Sequence, residues 1–297
     1  MKPKSRRKFG SRRSVPRSPF LARRRSAFVF VACLGIWLPR SYAATLVDLD
    51  ATQLPLGPLN TWTNTGTLPG NFTVPTGATV PSVIVAAGVK GIAFLATGGG
   101  AGGTQYVGPI APAAVTGGNP RTIEAWVYDP SPQGEETVFA WGRRGGAPDG
   151  SNFSFGHGTD PAFGANALWG GPDIGWNGKI VFNRWTYIAY TWDGTTSSVY
   201  MDGELANREI TNPPVNTWDV DNTAAANPLP FRVARQNTAA GAVSGAGVGE
   251  ITIGKIRLQD TALDAAAIKE KTAVARFQQS NNFVCRPSDV DTIESNQ

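Results

Sequence analysis

Histidine is almost missing: the 297 residues hold one, His157, alongside two cysteines and two methionines. A single histidine excludes metal sites built from several imidazoles. It also leaves a Ser-His-Asp hydrolase only one candidate base. His157 ends a Phe-rich segment, Phe153-Ser154-Phe155-Gly156-His157. No nucleophile-elbow motif lies beside it, so it reads as a packed strand histidine. Long apolar runs are missing too. The strongest, residues 27–38, falls short of the ~20 residues that a spanning helix requires.

Acidic residues are absent from the first 43 positions, which hold 12 of the 27 Lys and Arg and none of the 22 Asp and Glu. A basic stretch, a short apolar run and then Ser41-Tyr42-Ala43 form the pattern of a cleavable signal peptide. The expectation is a cut after Ala43 and a mature chain that begins at Ala44. The strong apolar run favours the general secretory route over the twin-arginine route suggested by Arg6-Arg7 and Arg24-Arg25. Export implies an extracellular, cell-surface or periplasmic location, with no membrane span after cleavage. The remaining 254 residues (297 minus 43) keep 15 basic residues against 22 acidic, net −7. Nucleic-acid binding needs a basic patch, and only Arg143-Arg144 resembles one, so no nucleic-acid partner is expected. Cys33 leaves with the leader. Cys285 then stands alone, so no internal disulfide is available, and it reads as a buried small residue.

What the mature chain does contain is turn chemistry: 33 of the Gly and 18 of the Pro lie after residue 43, with eight Trp to build a core. Nearly every segment reads as strand and turn. Residues 45–49 form a first strand, and residues 60–91 are loop-rich with weak strands. Residues 92–95 are a short strand before the glycine-rich Gly98–Gly103, which lacks the Lys-Ser/Thr ending of a phosphate loop. Residues 122–128 alternate, with Ile123, Ala125 and Val127 on one face. Strands are expected at 137–141, 152–157, near 166–169, at 185–192 (apolar on both faces, hence central), 198–201, 231–234 and 250–258. Asp193-Gly194 and Asp202-Gly203 are turns. Asp264 can cap one helix over residues 265–277. The domain plan is a signal peptide at 1–43, one domain at 44–278 and a polar tail at 279–297.

Thr122-Ile123-Glu124-Ala125-Trp126-Val127, Trp185-Thr186-Tyr187-Ile188-Ala189-Tyr190 and Val199-Tyr200-Met201-Asp202-Gly203 resemble the laminin-G-like family of concanavalin A-like jelly rolls. Ile253-Gly254-Lys255-Ile256-Arg257-Leu258 and Ala262-Leu263 resemble its closing strand and terminal helix. Tyr187 stands where the family commonly has His. The resemblance implies an all-β, two-sheet antiparallel sandwich (jelly roll) with one short C-terminal helix. It also implies a family of carbohydrate-binding, matrix-binding and purely structural modules, many of them calcium-dependent. Fold alone does not choose among them.

Candidate chemistry narrows by elimination. A glycosidase needs two carboxylates held at a set separation. The alternate acidic pairs Asp48/Asp50, Asp219/Asp221 and Asp289/Asp291 lie in a first strand, a loop and the tail, and none has the Glu-x-Asp-x-x-Glu form of jelly-roll glucanases. Glu135 and Glu136 are adjacent, so in a strand they would point apart.

A stronger signal is the paired exits Trp141-Gly142…Pro148-Asp149 and Trp169-Gly170…Pro172-Asp173. If the strands run up and down, parity places both loops at one end, together with Asp202-Gly203, and places Glu135 and Glu136 at the other. That end would gather Arg143, Arg144, Asp149, Asn152, Asp173 and Trp176. Flat rings with converging polar groups suit a sugar. Asp149 and Asp173 could supply calcium oxygens, although Pro-Asp and Gly also simply make turns. Three readings follow: a binding module for a glycan or an extracellular matrix or cell-surface ligand, a structural adhesion domain, and a polysaccharide-cleaving enzyme. Exposure of Arg143 and Trp176 would favour the first, their burial the second, and carboxylates facing across a groove the third.

Overall fold

The structure is a computed structural model that describes residues 44–96, 100–145 and 148–282, with side chains up to residue 274. The leader, Cys285 and the Asp289/Asp291 pair lie outside the described residues. Sixteen strands follow one another: β1 (Thr45–Asp50), β2 (Gly57–Pro58), β3 (Thr61–Trp62), β4 (Phe72–Thr73), β5 (Ser82–Ala86), β6 (Val89–Phe94), β7 (Tyr106–Ile110), β8 (Arg121–Tyr128), β9 (Thr137–Gly142), β10 (Asn152–Gly156), β11 (Asn166–Ala167), β12 (Trp185–Trp192), β13 (Thr196–Met201), β14 (Glu204–Ile210), β15 (Pro230–Val233) and β16 (Ile251–Gln259). One helix, α1 (Ala265–Asn282), closes the described chain.

The strands form two antiparallel sheets with a core between them. The larger runs β14-β13-β12-β8-β16-β6-β5-β2, with β1 beside β16, and the smaller runs β11-β10-β9-β15-β7-β4-β3. Period-2 alternation fixes what each strand buries. Ile123, Ala125 and Val127 of β8, with Ile188, Tyr190 and Trp192 of β12, turn into the main core. Phe139, Trp141, Phe153, Phe155, Phe231 and Val233 meet them from the smaller sheet. Trp141 stacks on Phe153 at 3.8 Å, and the Phe153 ring meets Tyr190 of the opposite sheet edge-on at 5.2 Å, so aromatic contacts join the layers.

Strand β12 reads as apolar on both faces and β8 as alternating with Trp126 on its second face, and each face has a cover. Their outward residues Trp126, Tyr187 and Ala189 join Tyr200 and Ile268 in a second, smaller cluster beneath α1. Trp126 therefore packs under the helix, outside the inter-sheet core. Asp264 accepts from the Ala267 amide at 2.8 Å, the expected cap. The helix runs five residues past the expected Phe277 because no Gly or Pro interrupts it. The loop-rich reading of residues 60–91 missed the β5–β6 hairpin, whose turn places Ala87 and Gly88 at φ 44° and 83°. Ala there hides the signal that Asn or Gly would give.

Candidate ligand-binding cleft

Strand order decides where the two Trp-Gly exits meet. Strands β9, β10 and β11 are antiparallel neighbours, so the loops after β9 and β11 leave the smaller sheet at one end. The Gly150 amide donates to the Trp169 carbonyl at 2.8 Å, stitching the loops together. Gly142 starts the first loop at φ 76°, where a Cβ would lie 2.5 Å from the Ser151 carbonyl oxygen, so both conformation and space require glycine. In the second loop, Asp173 accepts from the Leu168 amide at 2.6 Å and the Gly170 amide at 3.3 Å. A Cβ on Gly170 would meet the Asp149 carboxyl at 2.4 Å, so Asp149 and Asp173 bracket one glycine.

The loops frame a cleft of about 280 Å³ lined by Glu135, Arg144, Phe163, Trp169, Gly170 and Asp173. Trp169 is half-buried at φ 69°, an unusual backbone for a large side chain. The Arg144 guanidinium lies 5.5 Å from its ring centroid and pairs with Glu135 at 2.5 Å. Gln236 donates to Glu135 at 2.8 Å and accepts from Asn152 at 3.0 Å. Burial raises the Asp173 carboxyl to about 6, against the three amides of Leu168, Gly170 and Trp169 that lower it, and the Glu135 charge adds to the rise.

The structure brings some of the sequence-predicted site residues to this cleft and places others elsewhere. Arg144 and Asp173 line the cleft, and Asp149 lies at its edge. Arg143, Asn152 and Trp176 do not present themselves to a ligand, being 4%, 0% and 2% exposed. Arg143 stacks on Trp218 at 3.7 Å, Asn152 serves Gln236 and the Ala167 carbonyl, and Trp176 packs beside His157 at 6.5 Å. Parity errs in two places. Glu135 enters the strand at the far end, yet Arg144 reaches its carboxylate along the outer face of the sheet. Asp202 belongs to the opposite end: it pairs with Arg184, and the adjacent Asn183 amide donates to Asp129, which binds His157. That turn lies in the other sheet, whose strand directions the smaller sheet does not set. Trp169 was legible as part of the second exit motif, but nothing local distinguishes it from the buried Trp176.

Other constellations are held by their own neighbours or lack a reacting partner. His157 Nδ1 meets Asp129 at 2.8 Å with both side chains buried, and Nε2 has no hydrogen-bond partner among the described residues, so no nucleophile sits on it. Burial, and then the adjacent Asp129, raise the nearby Glu136 to about 9. Asp48 and Asp50 pair with Arg257 and Lys255, while Asp221 holds Thr223 and Asn227. Calcium takes six to eight oxygens. Asp173 already spends its oxygens on amides, and among the described residues no three acidic, His or Cys side chains converge on a metal position. Asp149 and Asp173 alone do not make a calcium cage.

A family model described as the concanavalin A-like lectin/glucanases superfamily, of laminin-G type, matches residues 101–269. No curated protein matches the chain by sequence. Among solved structures it is similar to the binding domain of Paraclostridial Mosquitocidal Protein 1, with TM-score 0.49 and 12% identity over 78% of this chain and 52% of that one. It is similar to Trypanosoma rangeli sialidase at TM-score 0.47 and 17% identity, over 78% and 33%. It is also similar to the binding domain of Botulinum neurotoxin serotype D at TM-score 0.47 and 8% identity, over 78% and 51%. The chain spans about half the length of the two toxin domains and a third of the sialidase.

Proposed function

The chain belongs to the concanavalin A-like lectin/glucanase superfamily, and from that premise we propose that it is a secreted, non-catalytic binding module whose cleft beside Trp169 takes a glycan or another extracellular matrix or cell-surface ligand. One observation carries the reading. A half-buried indole faces a cleft in which Arg144, Glu135 and Asp173 converge, and the whole is anchored on adjacent strands of a rigid sheet. An aromatic face supplies flat apolar area for a sugar ring, and fixed polar groups supply orientation at little ordering cost. Secretion is supported by the leader pattern before Ala44, and no helix among the described residues is long and apolar enough to cross a membrane.

The absence of catalysis rests on saturation. Glu135 and Asp173 do share the cleft, but Glu135 is held by Arg144 and Gln236, and Asp173 by backbone amides. Reducing-end release from soluble polysaccharides would overturn this part. A second reading, a structural adhesion domain without a small ligand, is favoured by the burial of Arg143 and Trp176. A glycan array probed with and without calcium, using the exported protein and Trp169→Ala, separates the two. Binding lost in the variant supports the cleft. Unchanged binding moves the site elsewhere, and no binding in either protein supports the structural reading.

A further inference from the structure

The outer face of the larger sheet carries a second polar surface that the Trp169 cleft does not use. Register places Thr122, Thr191, Ser198 and Arg208 side by side across β8, β12, β13 and β14. Their chain neighbours Tyr190, Trp192 and Val199 point into the core, so this row points outward. Directly opposite residues have Cβ atoms about 5 Å apart, close enough to act on one small ligand.

The first member shows what the row is suited to. The Thr122 hydroxyl donates to the Thr261 carbonyl at 2.7 Å and accepts from the Leu263 amide at 2.8 Å, fastening the chain just before α1. The next hydroxyls, of Thr191 and Ser198, and that of Tyr200 two residues along β13, belong to residues only 5%, 7% and 6% exposed. None of the three hydroxyls bonds another described residue, and none is sealed from solvent, so each oxygen opens into the space beside it. All three line a cleft of about 360 Å³ against the start of α1, with Arg208, Asp193 and Asp264 at its rim. Hydroxyls that open into a cleft without protein partners are free both to donate to and to accept from whatever fills it.

We infer that this cleft is a second binding site, specific for a neutral polyhydroxylated ligand such as a saccharide ring. Charge selects the class. One cation, Arg208, stands against two carboxylates, Asp193 and Asp264, so the rim sums to −1 and disfavours a bare anion. Hydroxyls both donate and accept, which matches a polyol's own groups. Asp193 and Asp264 are fixed by backbone amides, of Thr195 and Thr196 and of Ala267 respectively, so these acceptors are preorganised. The inference does not depend on the Trp169 cleft, which lies on the other sheet.

The test uses the exported chain and three probes, the methyl glycosides of glucose, galactose and mannose, titrated while backbone amide shifts are followed. At least one probe should shift the Ser198 and Ala265 amides saturably. Thr191→Val, nearly isosteric, and the exposed Arg208→Ala should each weaken that binding at least tenfold, and Trp169→Ala should leave it unchanged. The inference is overturned if no probe shifts those amides up to its solubility limit. It is equally overturned if the shifts survive in the Thr191→Val/Arg208→Ala double variant, or if they vanish with Trp169→Ala.

Discussion

Trp126→Ala separates the two cores, because Trp126 packs under α1 instead of between the sheets. Its ring is 5% exposed, meets Tyr187 at 5.8 Å and shares a cluster with Tyr200 and Ile268. Truncating a buried aromatic costs about 3–5 kcal/mol, against a total stability of roughly 5–15 kcal/mol. At roughly 2–4 °C per kcal/mol for a domain of this size, the melting temperature should fall by about 6–20 °C. The loss should concentrate at the helix, since Trp126 and Ile268 are what seat α1 on the sheet. Calorimetry supplies the melting temperature, and hydrogen exchange mapped by mass spectrometry supplies the location. Exchange should rise first within α1, while β9 and β10, sealed by the Trp141–Phe153 stack, stay protected. A melting temperature unchanged within error, or uniform loss of protection across both sheets, would refute the two-core reasoning.

Glu136 is held protonated by burial and by Asp129, so its folded pKa lies above its unfolded one, about 9 against 4.5. The stability it contributes is complete below the unfolded value and is lost as pH rises through the folded one. Melting temperature should therefore decline between those limits, and Glu136→Gln should flatten the decline; an equal slope in both proteins would exclude Glu136 as its source. Gly142→Ala should cost at least about 1–3 kcal/mol, because it strains a left-handed backbone and clashes with a carbonyl; denaturant unfolding measures it, and a neutral result would contradict the φ of 76°. The exported protein should begin at Ala44 by intact mass, and an exported form that retains Met1 would contradict the leader reading.

How much could be read in advance follows from what is local. Alternation along residues 122–128 and the two-sided apolar character of 185–192 are properties of the chain itself, so these strands and the capped helix were legible without coordinates, while the two-sheet sandwich was what the laminin-G-like resemblance implied. The paired Trp-Gly exits and simple strand parity also placed the loops of Asp149 and Asp173 at one end of the sheet, where the structure brackets one glycine between them. Burial of Arg143, Asn152 and Trp176 was not legible. Each is covered by residues distant in sequence (Trp218 over Arg143, Gln236 over Asn152), and period-2 patterning does not report which loop will cross a given face.

The same limit applies to both polar clefts. Glu135 meets Arg144 because one side chain runs back along a sheet whose ends the strand count had separated, and Thr191, Ser198 and Arg208 form a row because three strands take one register. Sequence determined which residues face in and which face out, since that depends on a strand's own pleat. Tertiary structure decided which outward residues stand together and which are covered, since that depends on strand order, register and crossing segments that no single stretch of chain encodes.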